Sequence, residues 1–232
     1  RMSDKGLIDP MKEEDFSAFV FKIQANMNKA HRDRIAFMRI CSGEFKAGMD
    51  VFHIQGGRKV RLSQPQQMMA SERHMIDTAY GGDIIGVFDP GIFSIGDTLT
   101  NSAEKFAYEG IPTFAPEHFA RVRQVDTMKR KQFIKGINEI AQEGAIQIFF
   151  EPGTGMERVV VGVVGVLQFD VLQFRMESEY GVRYNKRDLP HQLIRYIDNA
   201  DLNPAELKLM QTTRWVQDVR GRNLLIFVGQ YE

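Results

Sequence analysis

Two hydrophobic rhythms divide the chain. From Ser17 to Thr100 apolar residues recur every second position in short runs. In SAFVFKIQAN, Phe19, Phe21, Ile23 and Ala25 fall on one side and Lys22, Gln24 and Asn26 on the other, the period of a half-buried strand. RIAFMRI repeats the pattern, with Ile35 and Phe37 alternating with Ala36, Met38 and Ile40. MDVFHI and RKVRL flank Gly56-Gly57, a hairpin signal because primed turns need positive φ. DIIGVF and DTLT supply two further strands. Many short antiparallel strands with no helical period predict a closed β-barrel, since closure removes exposed edges.

The rhythm changes at EGIPTFAPEHFA, where Pro112 and Pro116 interrupt any element and mark a boundary. FARVRQV reads as a strand. A helix follows, with Asp126 placed to cap its start, Phe133, Ile134, Ile137, Ile140 and Ala141 as its apolar stripe, and Gly144 just past its end. AIQIFFE and ERVVVGVV are strands. In GVLQFDVLQFRMESEYG, Val166, Phe169, Leu172 or Gln173, Met176 and Tyr180 recur at helical spacing, and Asp170 and the glutamines mark the expected solvent side. VRYNKR closes a β-α-β-β-α-β series, the ferredoxin-like split, with both helices on one sheet face. After Pro190 the expected elements are a strand in HQLIRYI, a short helix with Pro204 in its first turn, and a hairpin about Arg220 to Asn223. The fold class is thus multidomain, an antiparallel β-barrel plus an α+β domain with extra C-terminal elements. The expected division is 1–15 as a linker or tag remnant, 16–112 as the barrel and 113–232 as the α/β domain.

Bulk properties narrow the function. The 232 residues carry 30 basic and 30 acidic side chains, so no whole-chain field draws the protein to nucleic acid or membrane, and any such contact must be a local patch. A single cysteine, Cys41, excludes internal disulfides and cysteine metal clusters and points to a cytoplasmic setting. No signal peptide or membrane-length apolar run occurs. The chain opens on Arg1 and a charged prelude, which suggests a segment of something longer.

The stretch AYGGDIIGVFDPGIFSIGDTLT, Ala79 to Thr100, has five glycines. A phosphate loop needs GxxxxGK[ST] opening a helix, and a dinucleotide fingerprint needs GxGxxG between strand and helix. Neither occurs here. Turns at Gly81-Gly82, Pro90-Gly91 and Gly96-Asp97 account for the glycines, with Gly86 a bend inside a strand. His31, His53, His74, His118 and His191 lack metal-ligand spacing, and no GxSxG nucleophile elbow is present. No catalytic residue, cofactor-binding residue or metal ligand is therefore assigned. Two basic groups stand out. KAHRDR, with Arg32 and Arg34, connects two strands. MKRK, with Lys129, Arg130 and Lys131, opens a helix where positive charge opposes the macrodipole, and Arg121 and Arg123 precede it. A solvated face explains such groups most often; phosphate contact is the alternative.

Several segments resemble one family: FVFKIQANMNKAHRDRIAFMRICSGEFKAGM, GGDIIGVFDPGIFSIGDTLT, GIPTFAPEHFARVR, KQFIKGINEIAQEGAIQIF and VGVLQFDVLQFRMESEYGV. In order, from Phe16 to about Arg187, they are similar to the bacterial peptide chain release factor 3 family of translational GTPases. The resemblance implies a GTP-binding domain followed by a β-barrel and an α/β domain. This chain would be the last two, with GTP and magnesium held on the missing upstream domain. It further implies a cytoplasmic protein that binds the ribosome through small-subunit RNA and protein, and drives class I release factors off after peptide release. Its own GTP-binding domain would be a further partner, and a membrane would not. Arg32, Arg34, Arg121, Lys129, Arg130 and Lys131 become candidate ribosome contacts. Two other readings stand beside it: a free-standing RNA-binding barrel, and a fragment of an elongation-factor-like GTPase.

Overall fold

The computed structural model describes all residues except 10–12, 26–33, 64–65, 70–71, 76, 155–158, 200–201 and 232, and for 66–69 and 72–75 it describes the backbone alone. The chain divides into two compact units, Arg1–Pro112 and Thr113–Glu232.

The first unit contains β1 (Met2–Ser3), β2 (Gly6–Leu7), β3 (Ser17–Ala25), β4 (Arg34–Ser42), β5 (Glu44–Lys46), β6 (Asp50–His53), β7 (Arg58–Arg61), β8 (Gln66–Met69), β9 (Glu72–Met75), β10 (Thr78–Tyr80), β11 (Ile84–Phe88) and β12 (Thr98–Thr100). Eight of these strands form one antiparallel sheet in the order β7-β6-β12-β3-β4-β11-β8-β9, and β5 pairs with β10. This antiparallel barrel surrounds one core, in which Ala18, Val20, Ile23, Ala36, Met38, Ile40, Phe45, Ile85 and Leu99 are buried. At about 1.5–3 kcal/mol per large side chain removed from water, that core is the main stabilising term of the unit.

One feature of β3 departs from simple alternation. The pairing of β3 with β4 slips between Val20 and Lys22, so Phe21 is an extra residue in the strand. Such a bulge reverses the faces of everything beyond it. Ile23 therefore joins Ala18 and Val20 inside the barrel, whereas Phe19 packs outside with Cys41, Phe106 and Tyr108, and Phe21 lies against them. Residues at the start of the chain cover this outer cluster, where the sequence suggested only a linker. The β1–β2 hairpin bridges from Ser3 to Tyr108, and the Arg1 guanidinium lies 3.7 Å from the centre of the Phe19 ring.

The second unit contains β13 (His118–Gln124), α1 (Arg130–Gln142), β14 (Gln147–Phe150), β15 (Val159–Val163), α2 (Leu167–Tyr180), β16 (Tyr184–Leu189), β17 (Leu193–Tyr196), β18 (Arg214–Asp218) and β19 (Asn223–Phe227). Its sheet runs β16-β13-β15-β14-β18-β19-β17. The first four strands have the ferredoxin-like order, and the tail adds three more beyond β14. The expected short helix at Pro204 is a single 3-10 turn, Pro204–Glu206, capped by Asn203. Beneath the helices Ala120, Val122, Phe133, Ile137, Ile140, Val161, Phe169, Leu172 and Met176 are buried together. On the opposite face Phe119, Phe149 and Val160 pack with Ile194, Val216, Leu224 and Ile226. Leu172, not Gln173, belongs to the buried stripe of α2, and Val166 is exposed. The far side of α2 also departs from expectation: Leu167, Val171 and Phe174 stand in solvent.

Candidate nucleic-acid interface

The glycine-rich stretch is built as turns and strands. Gly82, Gly91 and Gly96 have φ of 105°, 93° and 95°, which serve tight corners between strands. The turn after β11 does gather backbone donors, as an anion site would, but the protein's own carboxylate fills it. Asp89 Oδ1 accepts from the amides of Gly91, Ile92 and Phe93 at 2.8, 2.8 and 3.2 Å. Its Oδ2 accepts from Arg34 Nε at 2.6 Å. Asp97 is similarly engaged: Oδ2 lies 2.7 Å from His53 Nε2 and accepts from the Ser94 amide. These residues do not fit a nucleotide phosphate or its magnesium ion, because their donors and carboxylates already satisfy one another. Among the described residues no group of three or more His, Cys, Asp or Glu is placed to hold a metal.

The candidate basic residues separate into different situations. Arg32 lies outside the described residues. Arg34 is buried, its guanidinium bonded to Asp89 and to the carbonyl of Phe93 at 3.0 Å. It therefore leaves the set of surface contacts; its charge organises the β11 turn. Lys129 is exposed, and Nζ donates to the Gly181 carbonyl at 2.6 Å. Gly181 is the left-handed cap that ends α2, so this ammonium sits where the partial negative charge of that helix emerges. That explains one cation at an otherwise unfavourable helix start. Asp126 accepts from the Met128 amide at 2.9 Å and caps the single 3-10 turn ahead of α1. Arg130 and Lys131 begin α1 itself and are exposed.

Arg121 is half-buried on β13. One of its terminal nitrogens bonds Glu151, which Arg214 also approaches at 3.6 Å. The two candidate groups of the second unit thus occupy different parts of it: Lys129–Lys131 around the start of α1, and Arg121 on the strand side facing away from both helices. Sequence reading missed that Arg187 stands directly across from Arg121. No local signal could show it, because strand register is set by the whole sheet.

Burial shifts several groups. The Cys41 thiol is pushed up, chiefly by burial and against a hydrogen bond from Tyr108. Burial likewise raises the phenols of Tyr108, Tyr180 and Tyr184, and the Glu139 carboxylate adds to the rise at Tyr180. A buried neutral thiol is a poor nucleophile, which fits a packing role for Cys41.

With the geometry in view, comparison with known proteins is decisive. A family model for the class II release factor RF3, C-terminal domain, matches residues 108–232. The chain belongs to this release-factor family. A model for elongation factor G domain 2 matches residues 15–102, which is most of the barrel. The release-factor match runs through the tail, beyond Arg187, where the motifs legible by eye had ended. Peptide chain release factor 3 of Symbiobacterium thermophilum is 54% identical over 232 residues, covering 100% of this chain and 43% of that protein. The Gloeobacter violaceus protein of the same name is 44% identical over 233 residues, with 98% and 43% covered. That of Rippkaea orientalis is 45% identical over 231 residues, with 100% and 42% covered. The chain therefore spans less than half the length of the curated relatives it matches. Among the described residues no helix is long and apolar enough to cross a membrane.

Proposed function

We propose that the chain is the ribosome-facing, non-catalytic body of a cytoplasmic release-factor GTPase. In the intact protein GTP and magnesium bind a separate domain, in the part of the relatives that this chain does not match. The barrel and the α/β unit then move as rigid bodies against that domain, converting nucleotide state into displacement. The outcome is departure of class I release factors from the ribosome after peptide release, with small-subunit RNA and protein as the docking surface. One observation carries this reading: an elongation-factor barrel and a release-factor C-terminal domain match in series along one chain. The geometry of the Asp89 turn supports it, because the loop most like a phosphate cradle is filled from within.

Titration calorimetry with GTP and magnesium tests the division of labour. The chain is expected to give no binding heat and no phosphate release, while the intact protein binds nucleotide stoichiometrically. Stoichiometric GTP binding by the chain would overturn the proposal.

A further inference from the structure

The helix-free face of the second sheet carries a cluster of arginines at one margin. Alternation along β13 sends Ala120 and Val122 beneath the helices, and Phe119 to the opposite core. Arg121 and Arg123 share the side of Phe119. β16 is the outermost strand, and it sets Arg187 opposite Arg121 and Asn185 opposite Arg123. Like charges directly opposed on an antiparallel pair repel. Arg214 joins the group from β18 through Glu151, which it shares with Arg121. Arg121 and Arg214 thus share one carboxylate, with Arg187 across from Arg121 and Arg123 two residues along the same strand as Arg121. The nearby Asp188 pairs with Lys186, which alternation places on the other side of β16. Arg123 and Arg187 are exposed and have no ion pair or hydrogen-bonded side-chain partner among the described residues. Nε of Arg121 and Nε of Arg214 are buried with no partner among the described residues.

We propose that Arg121, Arg123, Arg187 and Arg214 form a phosphodiester-binding site whose ligand is the backbone of RNA. Guanidinium forks match the paired oxygens of a phosphate and hold them with two parallel N–H donors. Arg121, Arg123 and Arg187 lie on the adjacent strands β13 and β16, and Arg214 lies on β18, so the group offers successive charges across the sheet, as a polyanion requires. The free edge of β16 adds backbone donors beside them. Glu151 tethers Arg121 and is shared with Arg214, so the group keeps a net positive charge. The choice of RNA rests on the ribosome-facing reading above, since small-subunit RNA is the polyanion that such a body meets.

The test is fluorescence anisotropy of a labelled RNA hairpin titrated with the 232-residue chain across a salt series. The double variant Arg123→Gln/Arg187→Gln removes two exposed charges without touching the core. Its affinity is expected to fall about tenfold at ~50 mM salt, and the slope of log K against log salt to shrink by about 2. Arg123→Lys/Arg187→Lys retains most of the binding, and circular dichroism shows both variants folded. Unchanged affinity and slope in the glutamine variant overturn the site, as does tighter binding of the wild-type chain to polyglutamate than to RNA. The ribosome reading is judged separately by small-subunit binding of the intact protein. Full subunit binding by the glutamine variant, with unaltered RNA affinity, would remove this site and leave that reading standing.

Discussion

Replacing Asp89 by alanine should cripple the barrel, and the size of the effect follows from its surroundings. The carboxylate has no exposed side-chain surface, and Arg34 beside it is 11% exposed at the side chain. Breaking a buried, hydrogen-bonded ion pair by deleting one member costs roughly 3–5 kcal/mol, because the other charge is left in a poor solvent. The amides of Gly91, Ile92 and Phe93 also lose their acceptor, although the first two are only part-buried and recover some hydration. A loss of about 4 kcal/mol is a large share of the ~5–15 kcal/mol that holds a domain folded. It corresponds to roughly a thousandfold rise in the opening equilibrium, at about 1.4 kcal/mol per factor of ten. Arg34→Met/Asp89→Ala should be less damaged than Asp89→Ala, because no orphan guanidinium remains. The sole tryptophan, Trp215, belongs to the other unit, so intrinsic fluorescence is the wrong probe. Amide hydrogen exchange by mass spectrometry resolves the effect, with peptides over Arg34–Ser42 and Ile84–Phe93 as reporters and Val159–Val163 as reference. A loss under ~1 kcal/mol for Asp89→Ala, or a double variant worse than the single, would refute the scaffold role assigned to this pair.

A Cβ added at Gly56 would overlap Nδ1 of His53, whose ring is buried and tied to Asp97. Gly56→Ala should therefore cost about 1–3 kcal/mol, read as faster amide exchange across β6 and β7; protection equal to wild type would contradict the contact. Cys41 and three tyrosines hold their protons more tightly when folded than at their ordinary values of 9.0 and 10.0. The unfolded chain loses those protons first, so their contribution is intact below about pH 9 and drains away as pH climbs beyond it. The urea midpoint should fall steadily between about pH 9 and 11, and a flat profile would show that these groups ionise freely in the fold.

Much of this architecture was legible because it is written in local patterns. Alternating strands, the Asp126 cap, the glycine turns and the β-α-β-β-α-β series each depend on a few neighbouring residues. What escaped depends on residues far apart in sequence. One extra residue at Phe21 reverses the faces of β3, and an alternation rule has no means of seeing it. Arg34 looks like a loop cation until β11 delivers Asp89 to it. Asp170 and the glutamines suggested a polar outer side for α2, yet Leu167, Val171 and Phe174 share the exposed surface, so the helix is apolar on two sides. The arginine cluster is the strongest case. Arg121 and Arg187 become neighbours only through the antiparallel pairing of β13 with β16, and Arg214 only through a strand from the tail.

The central claim, that this chain is the working body of a release-factor GTPase, is tested most directly on termination complexes. A fluorescently labelled class I release factor is bound to ribosomes after peptide release, and its dissociation is followed on adding the intact protein with GTP. The account predicts rapid, GTP-dependent departure that is lost when the segment corresponding to residues 1–232 is deleted. Departure at the same rate with and without that segment would contradict it.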